Sequence, residues 1–409
     1  MIRNKDNISD GINIFLDMHK TDFLRPPFTI KKDIITEYRD ICDRYLKFLE
    51  SHISEMNNGF ARKLSRRLEK TKIISIGITE CLQHFLSGDI KTAYDSFDSI
   101  FNDTTISKYI QNISIPLNEI CNKMTPLFRV RKSDSPLITR EEMFHIPFKL
   151  RHLVNAQRYS VAGLPCLYLG SSLYICWQEM DKPDFNKLYL SSFSSNDDNA
   201  KVLNFASDIL FGKLRALHIP KHLQYSEISI ITQLSYLTLY PLIIACSFIK
   251  KAKNASFNQE YIIPNLLMQW ISRRNRSNVM GIAYRSTKIK RTTQNKRSIN
   301  VVLPPKITYS QTLSHDFCPK LSSMFELTQP ISWQVLKTLD YDVIDNEDSA
   351  RQQAIHKLKR REHFYGIENF DEELFDSFYP LTDFFKLENS IDKLFEYSFL
   401  DGDRMAAED

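Results

Sequence analysis

A carboxylate stands in an apolar setting in RYSVAGLPCLYLGSSLYICWQEM, residues 158–180. A strand through 166–170 displays Leu167 and Leu169 on one face and Tyr168 on the other, because side chains alternate along an extended chain. Ser171 or Ser172 can cap a helix after it, and on that helix Ile175 and Glu179 share a face four residues apart. The pattern sets a carboxylate near the end of a strand that shows an aromatic ring. A carboxylate stabilises developing positive charge and orients hydroxyl groups, and a ring face receives a planar cation. In FRVR, Arg129 and Arg131 lie on one side of a strand with Phe128 and Val130 opposite, and guanidinium groups of this kind bind phosphate bidentately. In GIAYRSTKI, Ile282, Tyr284 and Ser286 alternate with Ala283, Arg285 and Thr287. Each residue has a structural alternative: a solvated helix carboxylate for Glu179, a core tyrosine for Tyr168.

The elements that must hold these residues divide the chain. Up to residue 122 it reads helical, and DIITEYRDICDRYLKFLESHI places Ile35, Tyr38, Ile41, Tyr45, Phe48 and His52 on one helix face. Asp89 is a plausible cap for IKTAYDSFDSIF, and His52 and His84 read as packed or surface residues. From about 125 come short apolar runs with prolines: PLFRVR, PCLYLG, KLYLSSF, AKVLNFA, MGIAYRSTKI and INVVLPP. These read as strands, separated by helices over 172–180 and 262–271. His145 and His152 read as structural. The expected organisation is a helical domain over 1–122, a mixed α+β domain over 123–306, and an acidic, Phe-rich segment over 307–409. The stretch Ile228–Ile249 carries no charge for 22 residues, a spanning length. Pro241 and several Ser and Thr residues interrupt it, so it is expected to be a buried core helix.

Composition excludes whole classes. No two of the 10 glycines are closer than Gly163 and Gly170. Rossmann fingerprints, P-loops and nucleophile elbows need closely spaced glycines, because only a residue without Cβ makes those turns and lets backbone approach phosphate. The 7 cysteines, with no CxxC, fit a reducing compartment. The start MIRNKDNISDG has no apolar run of the kind that directs export, so a cytoplasmic protein with no membrane association is expected. No metal site is expected, since His218 and His222 straddle Pro220. Charge is uneven: residues 261–315 hold 10 Lys or Arg and no acid, whereas residues beyond 315 hold 21 acids and 10 bases.

The order of these residues resembles the RES domain family, named for its Arg, Glu and Ser. Arg158 in RYS precedes the G-x-P-x-L-Y-L strand with Tyr168, Glu179 follows in CWQEM, and Ser286 lies in the later GIAYRS strand. The resemblance covers about residues 125–305 and implies a mixed sheet akin to ADP-ribosyltransferases, with NAD as substrate and no metal. It implies Glu179, Arg158, Tyr168 and Ser286 as catalytic residues, and Arg129, Arg131, Arg158, Tyr168 and Ser286 as contacts to NAD. Glu179 would face the ribose, Tyr168 the nicotinamide ring, and the arginines the pyrophosphate. Members are toxins that hydrolyse or phosphorolyse NAD, usually paired with a DNA-binding antitoxin. This chain departs from them in its helical N-terminal part and acidic C-terminal segment. The former resembles HEPN-like helical domains without their R-x4–6-H motif, Arg44 and His52 being too far apart.

Three activities follow as expectations. The first is an NAD glycohydrolase or phosphorylase acting as a toxin or defence effector, with an antitoxin or immunity protein as partner and self-association as a further possibility. The second is ADP-ribosyl transfer to a protein or nucleic acid, which shares the first bond-breaking step. The third is a non-catalytic protein whose basic 261–315 segment grips nucleic-acid phosphates. The acidic tail, opposite in charge to the basic hairpin, is a candidate cover for it.

Overall fold

The computed structural model describes residues 9–56, 58–206, 227–252, 255–273, 277–289, 297–338, 375 and 378–400. His218, His222, Arg274, Arg276, the hairpin tip with Lys290, Arg291 and Lys296, and positions 339–374 of the acidic segment lie outside the described residues. Two compact units emerge, one of residues 1–114, 156–161 and 203–274, the other of 115–155, 162–202 and 275–409.

The first unit is helical. Helix Ile34–Met56 buries Ile34, Tyr38, Ile41, Tyr45 and Leu49, an i, i+3, i+4 stripe with Phe48 and His52 at its border. Asp89 caps Ile90–Asn102 by accepting from the Thr92 N–H at 3.0 Å, and Asp103 caps Thr104–Ile113 through the Thr105 and Ile106 N–H groups. The charge-free stretch forms two helices, Glu227–Thr238 and Tyr240–Ala245, rather than one. Pro241 opens the second, where its missing N–H has no intrahelical partner to lose. The polar interruptions are bonding groups: Arg67 Nη1 and Asn112 Nδ2 donate to Ser235 Oγ at 3.2 and 3.0 Å, and Thr232 Oγ1 to the Asn112 carbonyl at 3.2 Å. Tyr45 and Tyr240 donate their hydroxyls to the carbonyls of Leu237 and Leu24 at 2.5 and 2.6 Å. Among the described residues no helix is long and apolar enough to cross a membrane.

Residues 203–274, expected within the central domain, therefore belong with the N-terminal helices. The cause is their composition. Helix Ile262–Arg273 buries eight of its residues, and apolar surface on nearly every side requires helices around it rather than one sheet face.

Among the described residues there is a sheet of nine strands, most of whose residues belong to the second unit. They are β1 Ser114–Pro116, β2 Leu127–Lys132, β3 Leu167–Gly170, β4 Leu188–Ser194, β5 Lys201–Asn204, β6 Val279–Arg285, β7 Ile299–Leu303, β8 Glu326–Leu327 and β9 Ile331–Ser332. Their order is β1-β5-β6-β7-β3-β2-β4-β8, with β9 also on β4. With its helices this makes an α+β protein, and the expected apolar runs are the strands. Two glycines are needed for close approach. A Cβ on Gly281 would lie 2.2 Å from the Val302 carbonyl oxygen, and one on Gly170 would lie 2.6 Å from Cys176 Sγ.

The C-terminal segment is part of this unit. β8 and β9 pair antiparallel with β4, and helix Asp383–Leu394 inserts Phe384, Leu387 and Ile391 into the core holding Phe128, Val130, Tyr174, Ile175 and Trp333. Trp177, Phe185 and Trp333 stack in sequence, with ring centroids 5.0 and 4.7 Å apart. Phe325, Phe375 and Phe384 of this segment are core residues.

Candidate functional site

Glu179 reaches its place through a short helix. Ser172 is the N-cap of Leu173–Glu179 and accepts from the Ile175 N–H at 3.1 Å. The same hydroxyl donates to the Arg297 carbonyl at 2.7 Å, next to β7. Ser171 adds a reciprocal pair with Ile299, its N–H donating at 2.8 Å and its hydroxyl accepting at 3.0 Å. The strand-to-helix turn is in this way tied to β7 before the helix begins.

At the far end, one carboxylate oxygen of Glu179 is held twice. Oε1 accepts from Ser286 Oγ at 2.5 Å and from Asn300 Nδ2 at 2.6 Å. Oε2 makes no hydrogen bond to any described residue. Ser286 is oriented in turn, accepting from the Lys288 N–H at 3.1 Å. Lys288 Nζ donates to the Glu179 carbonyl at 2.5 Å and pairs with Asp181 at 2.9 Å. It thereby satisfies a carbonyl that a helix end leaves open. Asp181 and Lys182 follow at φ of 61° and 58°, a left-handed conformation that costs about 1–2 kcal/mol per non-glycine residue. The chain leaves the carboxylate by a strained turn.

Register adds Tyr168 to this face. It sits opposite Val302, and Gly170 opposite Asn300, so Tyr168 and Asn300 emerge on the same side of neighbouring strands. Tyr168 is half-buried.

The arginines separate. The alternation that buries Phe128 and Val130 turns Arg129 and Arg131 to the other side of β2. Pairing between β2 and β3 is confined to Phe128↔Gly170, whereas β2 pairs with β4 from Leu127↔Phe193 to Lys132↔Leu188. The sheet therefore opens beside Arg129. Its Nε and Nη1 are buried and meet no acceptor among the described residues. Burial, then the neighbouring Arg131, pulls this guanidinium down to about 9, and Cys176 and Tyr168 oppose the shift. Arg131 is also lowered by burial, but its Nη2 donates to the Phe144 carbonyl at 3.1 Å. Arg158 lies in the first unit, where it donates to the carbonyls of Cys246 and Phe248 at 2.7 and 2.5 Å, with its Cζ 5.0 Å from the Tyr261 ring centre. A guanidinium engaged in this way has a structural occupation, unlike the phosphate contact expected for it.

His145 has a structural role. His145 is fully buried, accepts the Cys318 N–H at Nε2 (2.9 Å) and so donates from Nδ1 to the Ile146 carbonyl at 2.8 Å. Burial holds its imidazole down to about 4. All seven cysteines are free, and among the described residues no cluster of His, Cys, Asp or Glu could hold a metal ion.

The chain is 29% identical over 296 residues to a Bacillus subtilis (strain 168) protein named "Putative toxin YopC". The alignment covers 70% of this chain and 64% of that protein, so the chain spans less than two thirds of the relative's length. No protein-family profile and no solved structure matches it.

Two residues of the site escaped sequence reading. Asn300 had a signal: a polar side chain in the apolar run INVVL, where burial demands a partner. Lys288 had none, being one of many bases in its segment.

Proposed function

We propose that the chain cleaves the nicotinamide–ribose bond of NAD and acts as a toxin. The observation that carries this reading is the Glu179 carboxylate, with Oε1 held by Ser286 and Asn300 and Oε2 left for a ligand. As the C1′–N bond breaks, its electron pair leaves with nicotinamide and positive charge develops on the ribose. A carboxylate already oriented by two donors stabilises that charge without reorganising. Oε2 accepts from a ribose hydroxyl, and Tyr168 offers its ring to the nicotinamide. Water then adds at C1′ and loses a proton, giving ADP-ribose; phosphate in its place gives the 1-phosphate.

Arg129 faces away from Tyr168 by register, since Phe128 is the residue paired with Gly170, but it stands at the opening between β2 and β3 within electrostatic range of Tyr168, and we propose it as a diphosphate contact reached through that opening. A desolvated guanidinium without an acceptor is costly, and a diphosphate supplies the missing oxygens. The RES resemblance supports NAD as the substrate and the relative named as a toxin supports the toxin role, for which an antitoxin or immunity protein is the partner we propose. ADP-ribosyl transfer shares the first step.

The test is nicotinamide release from NAD by purified protein, with and without phosphate, alongside Glu179→Gln. Release by the wild type that falls at least about a thousandfold in the variant supports the reading. No release by folded wild type, or equal release by both, removes it. Radiolabel from NAD that moves onto macromolecules in a lysate would assign transfer instead.

A further inference from the structure

We propose that Glu388, in the C-terminal segment, is a positioning residue: its carboxylate anchors the first turn of the helix that delivers Glu179 and so sets where that second carboxylate lies against Ser286 and Asn300. The inference rests on the reading of Glu179 as the carboxylate that meets the ribose.

Glu388 Oε1 accepts from the Leu173 N–H at 2.6 Å and from the Tyr379 hydroxyl at 2.5 Å. Leu173 is the first residue of Leu173–Glu179, and its N–H has no partner within the helix. Ser172 caps Ile175, so a side chain 215 residues away closes another of the open donors. Glu388 also reaches β7. Its Oε2 lies 3.9 Å from Nη1 of Arg297, whose Cζ sits 4.3 and 5.3 Å from the ring centres of Tyr379 and Phe385. Arg297 leads directly into the strand whose Asn300 holds Glu179. One carboxylate thus touches the start of the Glu179 helix and the approach to the strand that receives Glu179.

The helix is too short to absorb an error at its start. Its seven residues span about 10 Å, so a displaced first turn displaces Glu179. Packing alone does not call for a carboxylate here, because the neighbours Phe384, Leu387 and Ile391 belong to an apolar core. Burying an acid in such a place costs free energy unless it is bonded. Burial raises Glu388 to about 7, opposed by Tyr379, the Leu173 N–H and Arg297. The Cys176 thiol also lies within electrostatic range of both Glu388 and Glu179. With a raised folded value, the stability Glu388 contributes is complete below its ordinary 4.5 and is lost as pH rises through about 7.

The experiment uses the full chain with Glu388→Ala, Glu388→Gln and Tyr379→Phe. Hydrogen exchange over residues 171–180 is followed together with kcat and KM for NAD between about pH 5.5 and 8.5. Glu388→Ala is expected to speed exchange at 171–180 about tenfold, with helix Ile34–Met56 unchanged, and to lower kcat about tenfold at nearly constant KM. Glu388→Gln still accepts the Leu173 N–H, so it restores protection and most of kcat while losing the inflection near pH 7. Tyr379→Phe moves that inflection to higher pH, because the lost hydroxyl favours the ionised acid. Unchanged exchange and kcat in Glu388→Ala, or an inflection that survives in Glu388→Gln, overturns the proposal. Should Glu388→Ala fail to fold, the other two variants decide it. Absence of NAD turnover by wild type would remove the proposed function, while the exchange measurement still decides the anchoring.

Discussion

Arg158 and Arg129 are both guanidiniums withdrawn from solvent, and they differ in what their N–H groups meet. Arg158 stands among backbone carbonyls and a tyrosine face in the helical unit. Arg129 stands where β2 and β3 part, with Nε and Nη1 buried and no acceptor among the described residues. A buried donor with its partners in place adds to stability, whereas one without them carries the full cost of desolvation. The first arrangement is what folding selects; under the proposed function, the second is the one a ligand would complete. Glu179 repeats the second pattern in milder form, one oxygen held and the other left over.

Four measurements can break or sharpen that contrast. The largest effect belongs to Glu179→Gln, expected to reduce nicotinamide release about a thousandfold or more with thermal unfolding unchanged; a large loss of stability instead would move Glu179 into the structural class. His145 tests the satisfied class by pH. Its folded value of about 4 lies below the ordinary 6.5, so its contribution is complete above 6.5 and is lost as pH falls toward 4. That loss amounts to about 3 kcal/mol. His145→Gln should shrink the difference between urea midpoints at neutral and acid pH, and an undiminished difference would assign it to other groups.

Next, Arg158→Met should destabilise the protein by about 2–4 kcal/mol, read from denaturant midpoints, because it strands two buried carbonyls. Nicotinamide release by the folded protein should persist, and its loss would return Arg158 to the NAD site. The smallest effect is expected for Arg129→Met: KM for NAD up about tenfold, with stability unchanged or raised because a desolvated charge is removed. A destabilised Arg129→Met with normal KM would erase the contrast between the two arginines.

Much of the fold was legible in local chemistry. Alternation in PLFRVR and MGIAYRSTKI marked strands, and Asp89 and the Ser171–Ser172 pair marked helix starts, the structure assigning the second cap to Ser172. Ordered motifs and the resemblance they carry name Glu179 and Ser286, but not the hydrogen bond between them, since Ser286 is expected there to meet the ligand. The affiliation of residues 203–274 was not legible, since an apolar helix looks the same whether helices or a sheet bury it. The break in the charge-free stretch was legible in Pro241, which stands at the start of the second of its two helices. Glu388 offered no signal at all, because its partner lies 215 residues away.

Scarce glycine bears on the same division. The sequence alone excluded glycine-rich phosphate loops, because their spacing is a local property that nothing distant can supply. It also set out which residue types were present for the proposed NAD chemistry: a carboxylate, a tyrosine, a serine and three arginines. Only the tertiary structure decided how each was occupied. It gave Arg158 to carbonyls, left Arg129 Nε and Nη1 without an acceptor among the described residues, recruited Asn300 to Glu179, and tied the Glu179 helix to the C-terminal segment. The reason is that hydrogen-bond satisfaction depends on which groups the fold brings within about 3 Å, and strand register and chain return set that distance.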